Sequence, residues 1–168
     1  MKKVYIYLYE QSVLWEVVLF MHFLKATGHH VLILADNEEI TTFEGMKVKA
    51  DYLVDEINPE NIDALVITGG DITKIKKRAR LNELILSVHH ENKNIGAICG
   101  ARNILLDLNL VTEEDLQYED IKRKDNLLIS PPYKYVDFAI ELGSALGIYK
   151  DKADYEQTID FFKLFKNV

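Results

Sequence analysis

Short apolar runs alternate along the chain with longer segments whose apolar positions recur at helical spacing. The runs are rich in β-branched and aromatic residues, which is typical of buried strands. They cover residues 3–9, 30–35, 63–68, 94–98 and 126–130. The helical spacing covers residues 12–25, about 79–91, the segment that begins at 99, 133–146 and 151–165. This alternation predicts an α/β three-layer sandwich, a mostly parallel sheet with helices on both faces.

The breaks between these segments fit the same architecture. Ser12 has the side chain of an N-cap for the first helix, and Gly28 suits the left-handed position after its end. Residues 40–43 and 47–50 alternate in polarity around a turn, which predicts a small antiparallel hairpin. Residues 112–125 are polar and predict a loop with one helical turn. No internal repeat or linker interrupts the pattern.

The composition is that of one globular domain, residues 1–168, in a reducing compartment. The chain is 48% hydrophobic, carries a net charge of −7 and has one cysteine. One cysteine cannot form an intramolecular disulfide, so we expect a cytoplasmic protein. The negative charge argues against binding to nucleic acid or to an anionic membrane. No apolar run approaches the ~20 residues that span a bilayer, and we expect no secretory signal.

Three loops with unusual chemistry leave the carboxyl ends of the predicted strands, the edge of a parallel sheet beyond which ligands bind. The loop after the first strand leads to Glu16 in the opening turn of its helix. The loop after the third strand is Gly69, Gly70 and Asp71, and the turn after the fourth is Cys99. We therefore expect these residues to meet at one rim of the sheet.

Cys99 stands where the chain passes directly from a strand into a helix. At such a turn the side chain points outward, and the small residues Gly100 and Ala101 let the backbone fold tightly. The free N–H groups at the helix start favour a thiolate, so we expect the pKa of Cys99 to lie below the usual value of about 8.5. The N–H groups of Gly70 and Gly100 could converge on an oxyanion. The alternative is a small, inert, buried cysteine.

Glu16 is a candidate site residue because we expect it to lie near Cys99. A carboxylate and a thiolate side by side cannot both ionise cheaply. We expect a protonated Glu16 that donates a hydrogen bond to the thiolate, with the two groups titrating jointly. The alternative for Glu16 is a solvated acid that is stabilised by the helix dipole.

Residues 63–70 (DALVITGG) and 95–101 (IGAICGA) resemble the PfpI/ThiJ superfamily. The acid-bearing stretch 9–16 and residues 127–142 are similar to other parts of that family, so the resemblance covers nearly the whole chain. It implies the flavodoxin-like fold of class I glutamine amidotransferases and, because members are often dimers, a homodimer. The activities assigned to members include peptidase or amidase, deglycase, glyoxalase, hydratase and redox sensing.

The resemblance also implies roles for residues of this chain. Cys99 would be the nucleophile, Glu16 the acid that hydrogen-bonds its sulfur, and Gly70 and Gly100 the donors of an oxyanion hole. Members with a hydrolase triad carry a histidine directly after the cysteine or in the segment that follows. Here glycine follows the cysteine, and residues 101–168 contain no histidine. We therefore expect neither a Cys-His-Asp triad within one chain nor a protease.

Other polar residues near the predicted rim have open roles. Arg102 could pair with Glu16 or a surface acid, or it could hold a substrate carboxylate, and Asp71 could contact the substrate. A basic cluster that follows the glycine loop is either a solvated surface run or a patch that attracts anionic substrates. The cluster consists of Lys74, Lys76, Lys77, Arg78 and Arg80.

The histidines and the last helix have structural interpretations. The histidine pairs at 29–30 and 89–90 precede strands, so they belong at the amino-terminal edge, and His22 is expected to pack on the first helix. The histidines lack the spacing of metal ligands, so we expect no metal and no cofactor. The last helix has an apolar face with Ile159, Phe162 and Phe165, which is expected to pack on the domain, with a dimer contact as the alternative.

Three functional hypotheses remain. In the first, an enzyme uses Cys99 to attack a small-molecule electrophile, such as an aldehyde, a glyoxal adduct or an amide-like compound. In the second, a stress-response protein senses oxidants through oxidation of Cys99. In the third, a non-catalytic member of the family retains the fold.

Overall fold

A computed structural model describes residues 1–167 and contains two β-sheets and six α-helices in that range. The strands are β1 (Lys3–Tyr7), β2 (His30–Ala35), β3 (Glu39–Thr41), β4 (Lys47–Lys49), β5 (Tyr52–Leu53), β6 (Ala64–Ile67), β7 (Asn94–Ile98), β8 (Lys122–Lys124) and β9 (Leu127–Ser130). The helices are α1 (Trp15–Ala26), α2 (Ala79–His90), α3 (Arg102–Asp107), α4 (Glu113–Gln117), α5 (Tyr135–Leu146) and α6 (Lys152–Phe162). None of the helices in this part of the chain is long and apolar enough to cross a membrane.

The main sheet has seven strands in the order β5-β2-β1-β6-β7-β9-β8, and only the β8–β9 pair is antiparallel. Helices α2 and α3 bury their apolar side chains on one face, and α1 and α5 bury theirs on the other. Strands β3 and β4 form a separate antiparallel hairpin. The predicted α/β three-layer fold and its small hairpin are therefore confirmed.

Strand β1 shows why both faces of the sheet are covered. Val4 and Ile6 enter the core beneath α1 and α5, whereas Tyr5 and Tyr7 enter the core beneath α2 and α3. None of these four side chains is more than 2% exposed. A strand buried on both faces needs apolar residues at consecutive positions, which explains its continuous apolar run.

The two edge strands of the main sheet do not show in the hydrophobic pattern. Strand β5 has only two residues, and β8 has the sequence KRK. The prediction of a loop over residues 112–125 is wrong at β8 and correct for the single short helix α4. Lysines on an edge strand discourage pairing with a further strand. Because all three residues of β8 are charged, the strand has no apolar pattern from which the sequence could predict it.

The first helix begins later than the sequence predicts. Leu14 occupies the N-cap position, and Ser12 instead forms an isolated antiparallel bridge with Gly70. The Oε1 atom of Glu44, in the β3–β4 turn, accepts hydrogen bonds from the N–H groups of Leu14 at 2.9 Å and Trp15 at 3.3 Å. The prediction that Ser12 caps the helix is wrong because a carboxylate from the hairpin does so.

The helix ends agree more closely with the sequence pattern. Gly28 follows α1 with φ 77°, the left-handed conformation expected there. Helix α6 ends at Phe162, three residues short of the predicted end. Phe162 packs against the core beneath α1 and α5, as expected, whereas Phe165 is 87% exposed.

Candidate active site

Cys99 lies at a sharp turn between β7 and α3, at the carboxyl edge of the sheet. Ile98 is extended, with φ −118° and ψ 149°, whereas Cys99 has φ 59°. A left-handed conformation costs a non-glycine residue about 1–2 kcal/mol, so surrounding contacts must hold it. Residues 99–101 form one 3-10 turn that leads into α3. The structure therefore has the strand-to-helix elbow that the sequence predicts, with the cysteine partly exposed.

Glu16 lies beneath this elbow. Only 2% of its surface is exposed, so the interpretation of Glu16 as a solvated acid is wrong. Its Oε2 accepts a hydrogen bond of 2.8 Å from the N–H of Gly69, and its carboxyl group is hydrogen-bonded to the thiol of Cys99. A Cβ on Gly69 would lie 2.5 Å from Cys99 Cβ and 2.7 Å from Glu16 Oε2. Gly69, for which the sequence predicts no role beyond the turn, thus lets the acid and the sulfur meet.

Burial raises the pKa of both members of this pair. For Glu16, burial outweighs the hydrogen bonds from Gly69 and Cys99, which act to lower the pKa. For Cys99, burial and the neighbouring Glu16 together outweigh the N–H of Gly100 and the charge of Arg102. The expectation of a lowered thiol pKa is therefore wrong, because the helix start contributes less than burial and the adjacent acid. Two negative charges are costly here, so the pair keeps at least one proton at neutral pH.

The two predicted oxyanion donors lie next to each other. A Cβ on Gly100 would be 3.4 Å from the carbonyl oxygen of Gly70 and 3.0 Å from Cγ2 of Ile72. Gly70 has φ 126°, and a Cβ there would lie 2.4 Å from the carbonyl oxygen of Gln11, so only glycine fits. The N–H of Gly100 donates to the sulfur of Cys99. The structure thus brings both glycines to the same rim as the cysteine.

Arg102 holds the elbow in place. Its Nε donates to the carbonyl oxygen of Cys99 at 3.0 Å, and its Nη1 donates to the carbonyl oxygen of Leu116, at α4, at 3.2 Å. Within residues 1–167 it pairs neither with Glu16 nor with a surface acid, contrary to two of the roles considered from the sequence. Because the guanidinium is already bonded to backbone, a role in holding a substrate carboxylate loses its support.

Asp71 lines a cavity together with Gly70. Its Oδ1 accepts a hydrogen bond of 3.2 Å from the N–H of Thr73, and the side chain is exposed. The cavity has a volume of about 360 Å³. Its walls are formed by Gln11, Val13, Phe43, Gly70 and Asp71. A small molecule in this cavity would adjoin one of the predicted oxyanion donors.

Histidine does not contribute to this site. His22 lies on α1, where its ring centroid is 6.0 Å from that of Phe162 and 6.2 Å from that of Phe23. His29 and His30 lie at the start of β2, and His89 and His90 end α2 shortly before β7 begins, so both pairs are at the opposite edge of the sheet. All five histidines belong to the described residues. This placement agrees with the predicted absence of a triad within one chain.

The basic cluster is largely neutralised by acids of the same chain. Three of its five side chains form ion pairs. The pairs are Lys76–Asp107, Arg78–Asp36 and Arg80–Glu83. Lys74 and Lys77 are exposed. The arrangement favours a solvated surface run over a patch that attracts anionic substrates.

Known proteins are similar to this chain in sequence and in fold. The model of the DJ-1/PfpI family matches residues 2–139. The deglycase PH1704 of Pyrococcus horikoshii is 31% identical over 158 residues, which cover 90% of this chain and 92% of that protein. The deglycase PfpI of Pyrococcus furiosus is 35% identical over 101 residues, 57% of this chain and 59% of that protein. The crystal structure of the DJ-1 superfamily protein Atu0886 from Agrobacterium tumefaciens has a TM-score of 0.82 at 21% identity and covers 96% of this chain and 98% of that one.

These comparisons agree with the resemblance carried by residues 63–70 and 95–101. The family match includes the elbow, the glycine loop and the acid-bearing segment. The similarity to PH1704 extends over nearly the full length of both chains. The chain therefore belongs to the DJ-1/PfpI family.

Proposed function

We propose that the protein is an enzyme in which Cys99 attacks a small electrophilic carbonyl compound, such as an aldehyde or a glyoxal adduct. One observation carries the proposal. A partly exposed sulfur at a left-handed elbow is hydrogen-bonded to a buried carboxyl group with a raised pKa. The similarity to proteins named deglycases supports a substrate of this class.

Glu16 supplies the base for the attack. Because its pKa is raised, its carboxylate is the better proton acceptor, and it takes the thiol proton across the existing hydrogen bond. The sulfur of Cys99 forms a bond to the carbonyl carbon, and the π electrons of the C=O bond move to the oxygen. The N–H groups of Gly70 and Gly100 stabilise the negative oxygen. Glu16 then returns the proton to that oxygen, which gives a neutral hemithioacetal.

An adduct of this kind is common to the deglycase and glyoxalase activities that the family resemblance implies. The reaction that follows depends on the group that leaves the former carbonyl carbon. Peptide hydrolysis is not part of the proposal, because none of the five histidines stands at the elbow to protonate an amine leaving group.

A second candidate function is the sensing of oxidants. The partly exposed sulfur can be oxidised to a sulfenic or sulfinic acid, and Glu16 has a raised pKa. When it is protonated, Glu16 can donate a hydrogen bond to an oxygen on the sulfur. The same contact that serves the enzyme would therefore stabilise the oxidised cysteine.

Turnover of methylglyoxal and of a glyoxal-modified amine tests the proposal. Cys99→Ser is expected to lower turnover by about a thousandfold or more, because the nucleophile is lost. Lys77→Ser, at an exposed position, serves as the matched control and should turn over at the wild-type rate. A wild-type protein without turnover would contradict the enzyme proposal. Selective oxidation of Cys99 by peroxide, seen by mass spectrometry, would then favour the sensor.

A Cys99 that stays unmodified by iodoacetamide even above pH 9 would favour a non-catalytic family member. The homodimer and the cytoplasmic location expected from the sequence stay predictions. So do the absence of a cofactor and the absence of binding to nucleic acid or membranes.

A further inference from the structure

Tyr9 is a buried tyrosine whose hydroxyl group has no partner among residues 1–167. Its side chain is 1% exposed. The neighbouring Tyr7 differs, since its hydroxyl donates to Asp36 at 2.8 Å. The two rings are stacked with centroids 5.8 Å apart, so the Tyr9 ring is held in the core. A phenylalanine would fill the same space without leaving a buried polar group unpaired, which is costly.

The Tyr9 hydroxyl lies against Gly70, in the loop that forms part of the candidate site. It is 3.1 Å from the point at which a Cβ of Gly70 would stand, and Ser12 Cα is 2.8 Å from the same point. The hydroxyl of Ser12 is also buried and without a partner in the described residues. Two unpaired hydroxyl groups therefore flank the residue whose N–H is proposed to hold the oxyanion.

The charged groups around Tyr9 are those of the candidate site. Burial raises the pKa of Tyr9, and the negative charges of Glu16, Cys99 and Asp71 raise it further. The hydroxyl thus keeps its proton at physiological pH and remains a hydrogen-bond donor. Two of these three groups are the ones whose charge changes in the proposed reaction.

We propose that Tyr9 is a positioning residue whose hydroxyl is a donor held ready for negative charge at the Gly70 loop and at the Glu16–Cys99 pair. The inference rests on the proposed chemistry of Cys99. The hydroxyl has no partner in the resting protein because the charge that it stabilises develops only when the sulfur is deprotonated or the oxyanion forms. The unpaired hydroxyl destabilises the folded protein, and in return the site has a donor that is already in position before the charge forms.

Tyr9→Phe tests this inference, with Tyr7→Phe as the matched control. We expect Tyr9→Phe to leave Tm unchanged or to raise it, because an unpaired buried group is removed. It should also move the pH profile of Cys99 alkylation by iodoacetamide to higher pH and slow alkylation at neutral pH about 3- to 10-fold, because the thiolate loses a donor. Tyr7→Phe should lower Tm, since Asp36 loses the hydrogen bond from the Tyr7 hydroxyl and keeps only its ion pair with Arg78, and it should leave the pH profile in place.

A drop in Tm for Tyr9→Phe, or a pH profile that stays in place, would overturn the inference. Either result would mean that the hydroxyl is structural or without a role at the site. Alkylation needs no substrate, so this result is independent of turnover. Lack of turnover by the wild-type protein would defeat the proposed function and leave the test of Tyr9 intact.

Discussion

Two buried carboxyl groups of this molecule have opposite surroundings. Glu16 is 2% exposed, and its hydrogen-bond partners are a backbone N–H and a thiol. Asp115 is 6% exposed, forms ion pairs with Lys122 and Lys124 of β8, and accepts a hydrogen bond of 2.8 Å from the N–H of Thr112. Burial raises the pKa of Glu16, whereas the hydrogen bond from Lys122, above all, holds the pKa of Asp115 far below its usual value.

The difference separates an acid that stabilises the fold from an acid whose surroundings suit the proposed proton transfer. Asp115 stays ionised and fastens α4 to the edge strand β8, so its charge stabilises the protein. Glu16 is buried beside a sulfur, where ionisation is costly and a proton is easily held. A group in such surroundings holds its proton to higher pH than an ordinary carboxyl group does, whereas Asp115 gives up its proton at lower pH.

Gly69→Ala is expected to have the largest effect, because it disrupts the close packing between Glu16 and Cys99. The new Cβ would lie 2.5 Å from Cys99 Cβ and would force the acid and the elbow apart. We expect a loss of about 1–3 kcal/mol in the free energy of unfolding, measured by urea denaturation. Gly100→Ala is the milder control, since its Cβ would lie 3.0 Å from a methyl group of Ile72. Equal stability of the two variants would contradict the close packing at Gly69.

Asp115→Asn is expected to have the next largest effect and tests the structural side of the comparison. Without the charge, Lys122 and Lys124 lose their partner, and we expect a loss of about 1–2 kcal/mol in the free energy of unfolding at neutral pH. Alkylation of Cys99 should be unchanged. Asp160→Asn, at a pair on the exposed C-terminal helix, is the control and should unfold like the wild type. An Asp115→Asn variant with wild-type stability would show that the ion pairs of Asp115 do not stabilise the protein.

The smallest effect should appear in the pH dependence of stability. The pKa of Glu16 is higher in the folded state than its unfolded value of about 4.3, so its ionisation lowers stability as the pH rises above that value. Relative to wild type, the Tm of Glu16→Gln should therefore increase as the pH rises above about 4.3. Asp115 acts in the opposite sense, because its lowered pKa provides stability above about pH 3.9 that is lost as the pH falls further. A Tm difference for Glu16→Gln that does not change with pH would contradict the raised pKa.

The meeting of Glu16 with Cys99 could be predicted from the sequence, and their pKa values could not. The strand pattern alone puts the residues that follow parallel strands at one edge, so the position of the site depends only on recognising the strands. The direction of the thiol pKa depends on how deeply the pair is buried. That burial results from contacts between α1, the Gly69 loop and the elbow, which apolar periodicity does not describe.

Long-range polar contacts account for the other differences. Glu44 caps α1 from a position 30 residues away from Leu14, and no local signal distinguishes it from other acids. Strand β8 is held through Asp115 and its pairing with β9, so its polar sequence looks like a loop. The sequence also does not predict the unpaired hydroxyl of Tyr9, because Tyr9 belongs to an apolar run in which a tyrosine looks like any other core residue.

The rate of Cys99 alkylation by iodoacetamide as a function of pH, in wild type and in Glu16→Gln, tests most directly whether the acid and the thiol share a proton. The glutamine removes a negative neighbour and offers an N–H donor to the sulfur. The Glu16→Gln profile should therefore move to lower pH, by about one unit, or roughly tenfold in rate at neutral pH. A profile that coincides with that of the wild type, or lies at higher pH, would contradict the account.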